Sequence, residues 1–152
     1  MVNYTPKLAT VENRLHQQAT RSVQDIMTDS EVIVRPKMLI LEAVSLILDN
    51  KQTGAPVIDE NGHLVGFLSE KDCLKFNLDM KYYNDCPGKV DHYMSTKLLT
   101  LSPTDSLIHV VELFLKHNFQ VYPVTTHDNH FVGIVSRRQI LSEICKLGQT
   151  SW

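Results

Sequence analysis

Ser69 and Asp72 carry the clearest chemical signal in this sequence, inside the stretch Gly66-Phe67-Leu68-Ser69-Glu70-Lys71-Asp72. An apolar run ends at Leu68 and a helical pattern (Cys73, Leu74, Phe76) opens beyond Ser69, so a strand hands over to a helix here. A helix start presents unpaired N–H groups and a partial positive charge, which suits anions such as phosphate. A carboxylate beside it can accept hydrogen bonds from two sugar hydroxyls at once. The same serine and acid also form a capping-box signature, whose role ends at the helix itself.

The layout returns 67 residues later as Gly133-Ile134-Val135-Ser136-Arg137-Arg138-Gln139, with Gln139 in place of Asp72. Capping accounts for both copies equally and gives no reason for the carboxylate in the first. A glutamine amide is the weaker partner for a diol. The Asp72 site is therefore expected to be the better ligand site, and the Gln139 site to be degenerate, empty or turned to another anion. Arg137 and Arg138 could reach a phosphate, although helix starts usually prefer acids and solvated surface arginines are the plainer reading.

Other candidates are weaker. His127 and His130 sit in a hairpin turn, but their neighbours do not complete a structural zinc set. Cys73, Cys86 and Cys145 are odd in number and lack a C-x-x-C, which suggests reduced thiols in a cytoplasm. Cys73 lies beside apolar residues and reads as core more than as nucleophile. No Walker loop, Gly-x-Ser-x-Gly or specific carboxylate pair points to catalysis.

The elements that would position Ser69 and Asp72 follow from an ungapped duplication. It runs from Val23 to Leu74 and again from Val90 to Leu141, with identical pairs such as Met27/Met94, Pro36/Pro103, Pro56/Pro123, His63/His130 and Gly66/Gly133. Each copy predicts a short extended piece (32–34; 99–101), a helix (39–51; 105–118) and a strand (55–58; 121–125). A tight turn, a return strand (64–69; 131–136) and a second helix (70–78; 137–147) complete it. Asn61-Gly62 between apolar runs is a hairpin signal. Two units cannot build a solenoid, so packing them face to face is the simpler solution. Thr5-Pro6 opens a separate amphipathic helix over 7–20, suited to packing on the body or to a dimer contact.

The bulk numbers fit one soluble domain. The chain has 152 residues, 43% of them hydrophobic, and a net charge of −2. That balance gives no electrostatic footprint for nucleic acid, and no apolar stretch approaches a membrane span. The N-terminus lacks the pattern of a signal peptide.

With the duplication, Met27 and Met94, the Pro-Val pairs and the Gly-x-x-Ser-x-x-Asp motif in hand, the chain resembles a tandem pair of CBS domains, or Bateman module, over about residues 22–147. The resemblance implies an α+β fold of two β-α-β-β-α repeats packed sheet to sheet with pseudo-twofold symmetry, plus the N-terminal helix. The expected segments are 1–21 (helix), 22–79 (first repeat), 80–89 (linker), 90–147 (second repeat) and 148–152 (tail). It also implies two clefts that hold adenine nucleotides (AMP, ADP or ATP) or S-adenosylmethionine as regulatory ligands, with no obligatory cofactor.

Carried over by position, Asp72 would hold the ribose and Ser69 would lie near the phosphate, with Phe67 and Leu68 beside them. Leu98, Leu99 and Thr100 would flank the base, and Val121, Tyr122 and Pro123 would form another wall. The weaker cleft would comprise Ser136, Arg137, Gln139, Val32, Ile33, Gly54 and Ala55. The functional expectation is a stand-alone cytoplasmic sensor, not an enzyme, acting in trans on a protein target and pairing into a homodimer. The alternative is an interaction scaffold that has lost nucleotide binding.

Overall fold

The computed structural model describes residues 21–83 and 88–149; the expected helix over 7–20, Cys86, Pro87 and Trp152 lie outside the described residues. Helix α1 (Ile40–Asp49) buries Ile40, Ala43 and Ile47 on one face and leaves Leu41 and Leu48 exposed on the other. Strand β1 (Gly54–Ile58) is buried throughout. It pairs antiparallel with β2 (Leu64–Ser69), setting Ala55 opposite Leu68 and Val57 opposite Gly66. Their connection is the expected tight turn, with Gly62 at a φ of 85° that other residues adopt only with strain. Helix α2 (Glu70–Tyr83) follows without a break and extends into the expected linker.

The second repeat has the same order. Helix α3 (Leu107–Lys116) buries Leu107, Val110 and Phe114, and the Ser106 hydroxyl caps it by accepting from the His109 N–H. Strands β3 (Val121–Thr125) and β4 (Phe131–Ser136) pair in the matching register, with Tyr122 opposite Val135, and α4 (Arg137–Gln149) closes the unit. Both hairpins carry an irregularity at the same place, between Val57 and Ile58 and between Val124 and Thr125. The leading extended pieces do not become full strands. Each is reduced to a single parallel bridge, Val34 to Val57 and Leu101 to Val124, so each repeat has a two-stranded sheet.

The two repeats exchange their leading segments. A 3-10 turn at Val23–Asp25 delivers Val23 and Ile26 into the core formed by Leu101, Val110, Phe114, Tyr122 and Val135 of the second repeat. Its counterpart at Val90–His92 delivers Val90 into the core formed by Val34, Ile40, Ile47, Leu68 and Phe76 of the first. Thr28 then pairs with Ile134, and Ser95 pairs with Phe67, each through two backbone hydrogen bonds. Gly133 and Gly66 allow these crossings. A Cβ on Gly133 would lie 2.9 Å from the Thr28 carbonyl oxygen, and one on Gly66 would lie 2.5 Å from the Met94 sulfur. The hairpin tips also meet, with the His63 and His130 rings 4.7 Å apart. Each contact has its partner in the other half, the expected pseudo-twofold arrangement.

Candidate functional site

At the start of α2 the capping box is complete. The Ser69 N–H and hydroxyl both donate to Asp72 Oδ2 at 2.9 Å, and the Asp72 N–H donates to Ser69 Oγ at 3.2 Å. The Glu70 N–H donates to the Thr53 carbonyl. Most of the N–H groups that would have received an anion are therefore already paired within the chain. Asp72 is nonetheless placed for a second role. It is only 6% exposed, its Oδ1 has no hydrogen-bond partner among the described residues, and it borders a cavity of about 790 Å³.

That cavity is built from both repeats. Phe67, Ser69 and Asp72 line one side; Leu98, Leu99, Val121, Tyr122 and Pro123 line the other. Tyr122 presents little surface, because it is 1% exposed and its hydroxyl donates to the Leu113 carbonyl at 2.9 Å. Two expected residues do not line the cavity. Leu68 points into the first core and is fully buried, and Thr100 lies outside the lining.

Sequence reasoning missed the exchanged segment, which contributes Met94, Ser95 and Lys97, and it missed Thr53 and Phe119. Phe119 stands edge-on to Tyr122 with ring centroids 5.8 Å apart and extends the apolar wall. Lys97 and Lys71 supply cationic groups without ion-pair partners among the described residues. A signal did exist for Lys97: the position 67 residues earlier is Ser30, so the cation belongs to one cleft only.

The symmetry-related surface is chemically different. The Gln139 N–H donates to Ser136 Oγ at 3.0 Å, and its side-chain amide donates to the Ile26 carbonyl on the exchanged segment. The Arg137 N–H is held by the Gln120 carbonyl at 2.8 Å, while its side chain is exposed. Where the first cleft has Phe119 and Leu98, the second has Gln52 and Glu31, joined by a hydrogen bond of 3.2 Å. Val32 and Ala55, expected to border this cleft, are instead packed in the core of the first repeat. Ile33 is exposed. Gly54 lies under the Phe67 ring, since a Cβ there would come within 2.6 Å of Phe67 Cε1.

Burial pushes the Cys73 thiol up to about 11, helped by the charges of Asp72 and Glu70, so it is a poor nucleophile. Among the described residues, no group of three or more His, Cys, Asp or Glu could hold a metal ion. No helix among them is long and apolar enough to cross a membrane.

The fold defines a paired α+β module with a cleft lined by both repeats. The family model for the CBS domain matches residues 23–79 and 90–146, and the chain belongs to that family of regulatory modules. A homoserine O-acetyltransferase from Methanococcoides burtonii is 28% identical over 119 residues, and an A-adding tRNA nucleotidyltransferase from Aquifex aeolicus is 30% identical over 122. The matches take in 78% and 80% of this chain but only 23% and 14% of those enzymes. The crystal structure of Arabidopsis thaliana CBSX2 in complex with AMP superposes with a TM-score of 0.75 at 27% identity, covering 84% of this chain and 98% of that one. The CBS domain pair of protein MJ0100, in complex with 5′-methylthioadenosine and S-adenosyl-L-methionine, has a TM-score of 0.70 at 22% identity, covering 83% and 97%, and shares the fold.

Proposed function

We propose that this chain is a ligand-sensing regulatory module, not an enzyme, which holds an adenosyl ligand in the Asp72 cleft. One observation carries the reading. Asp72 borders a cleft shared by both repeats and keeps one carboxylate oxygen unpaired, whereas Gln139 spends its amide on the Ile26 carbonyl. The cleft volume falls within the range of small-molecule sites, and its apolar wall of Leu98, Leu99 and Phe119 suits a planar base. AMP bound by CBSX2, the relative with the same fold at 27% identity, supports the class of ligand.

A ligand touching both repeats can favour one relative orientation over another, provided that it binds the two unequally. The changed shape would then be read by a protein target in trans or through a homodimer. For the latter, Leu41 and Leu48 on α1, Leu115 on α3, and Leu74 and Leu141 on α2 and α4 offer exposed apolar surface. A reducing cytoplasm fits the free thiols.

Isothermal titration with AMP, ADP, ATP and S-adenosylmethionine tests the reading. Asp72→Asn is expected to weaken binding about tenfold or more, by loss of a charge-assisted hydrogen bond. Gln139→Ala is expected to leave binding unchanged. The scaffold reading is favoured by the internally satisfied capping box, and it would be supported if none of the four compounds binds.

A further inference from the structure

The chain enters the second repeat at Arg21, and two elements clasp that entry. The Arg21 guanidinium donates to Glu143 on α4 at 3.1 Å, and the Arg21 carbonyl accepts from the Leu107 N–H at the start of α3 at 3.4 Å. The clasp belongs to one repeat only. The repeat-related residues are Gly88, which has no side chain, and Phe76, which is buried in the first core with its ring edge-on to Tyr93. Beside both points of contact the surface is apolar. Ile108 follows Leu107, Ile144 follows Glu143, and Leu141 lies one turn before Ile144; all three are exposed.

Pseudo-twofold symmetry bears on where the chain upstream of Arg21 can go. In the first repeat α2 runs to Tyr83 and Gly88 follows shortly, so the chain upstream of that entry is the repeat's own second helix. In the second repeat the same place is taken by α4, which the chain reaches only after the second hairpin. A segment upstream of Arg21 therefore has no slot within the repeat and is left its outer surface. Its sequence carries Leu8, Val11, Leu15 and Ala19 at helical spacing, an apolar stripe in need of cover. A helix over 7–20 would be about 21 Å long, enough to run the length of α4. Alone in water such a helix is marginal, so only docking would hold it. Tethered at Arg21, it faces the patch at an effective concentration on the order of millimolar, which a second copy of the chain in dilute solution does not match.

We infer that residues 7–20 fold back as an amphipathic helix on the outer face of the second repeat, seating their apolar stripe on Ile108, Leu141 and Ile144. This strap covers one repeat and leaves Leu41, Leu48 and Leu74 of the first as the open apolar face. It does not depend on a ligand in the Asp72 cleft.

Hydrogen exchange of the full chain without ligand, at several protein concentrations and alongside light scattering, tests the docking. Segment 7–20 is expected to exchange at least about tenfold more slowly than an unstructured peptide of the same sequence, at every concentration. Leu141→Asp combined with Ile144→Asp, and separately Leu15→Asp, are expected to return it to the unstructured rate. Unchanged exchange at 131–136 shows that the second repeat remains folded in them. Unstructured rates in the unsubstituted chain would overturn the inference, and so would protection that survives these substitutions. Protection that appears only as concentration rises and the mass doubles would overturn it too, giving the patch to a second copy. If the double substitution also loosens 131–136, Leu15→Asp decides alone, and retained protection of 7–20 in it would overturn the inference.

Discussion

In the proposed account a single carboxylate, that of Asp72, serves both a helix start and a ligand. Its Oδ2 holds the Ser69 N–H and hydroxyl, which fixes the start of α2, and the residue borders the cleft. Removing the side chain therefore acts on stability as well as binding. Asp72→Ala is expected to lower unfolding free energy by about 0.5–2 kcal/mol, the usual cost of a lost cap, in urea denaturation. Gln139→Ala is expected to cost about 0.5–1.5 kcal/mol through its bond to Ile26, with ligand affinity unaffected. A loss of affinity in that variant would contradict the assignment of the two clefts. Cys73 offers a separate check. With its thiol at about 11 against an ordinary 9.0, the thiolate fraction at pH 8 is about a hundredfold lower, so iodoacetamide should label exposed Cys145 well before Cys73. Comparable labelling rates would show that Cys73 is not protected by burial.

Among the elements, the glycines before each serine have a steric role that periodicity alone does not reveal. They lie where the exchanged segment of the other repeat crosses the return strand. Gly133→Ala would bring a Cβ to 2.9 Å from backbone, which cannot rotate away, and is expected to destabilise the chain by about 1–3 kcal/mol. Thermal unfolding indistinguishable from wild type would show that the crossing tolerates a side chain. The helices, the return strands and the hairpin at Asn61-Gly62 were legible in the sequence because each follows from local pattern. The leading extended pieces each make only one bridge, because proline at Pro36 and Pro103 soon follows. The end of α2 was set too early because residues beyond Leu78 carry no strong stop signal before Pro87.

Over the whole molecule, the exchange of leading turns joins the repeats into one folding unit. Val23 and Ile26 complete the second core, and Val90 completes the first. No pattern within one copy distinguishes packing on itself from packing on its twin, so this connection was not legible, and neither was the wall made by Met94, Ser95 and Lys97. The duplication did reveal the facing of two halves, because it repeats without a gap. A fragment ending at Tyr83 lacks Val90 and is expected to remain unfolded by circular dichroism, while the full chain unfolds in one cooperative transition. Independent folding of the fragment would show that the exchanged turn is dispensable.

Hydrogen exchange with and without AMP tests the central claim directly, because the two clefts use different segments of the chain. Binding at Asp72 predicts slower exchange at 67–72, 94–99 and 118–123, with the repeat-related segments 27–32 and 134–139 unchanged. Protection confined to those repeat-related segments, or no protection anywhere at saturating AMP, would contradict it.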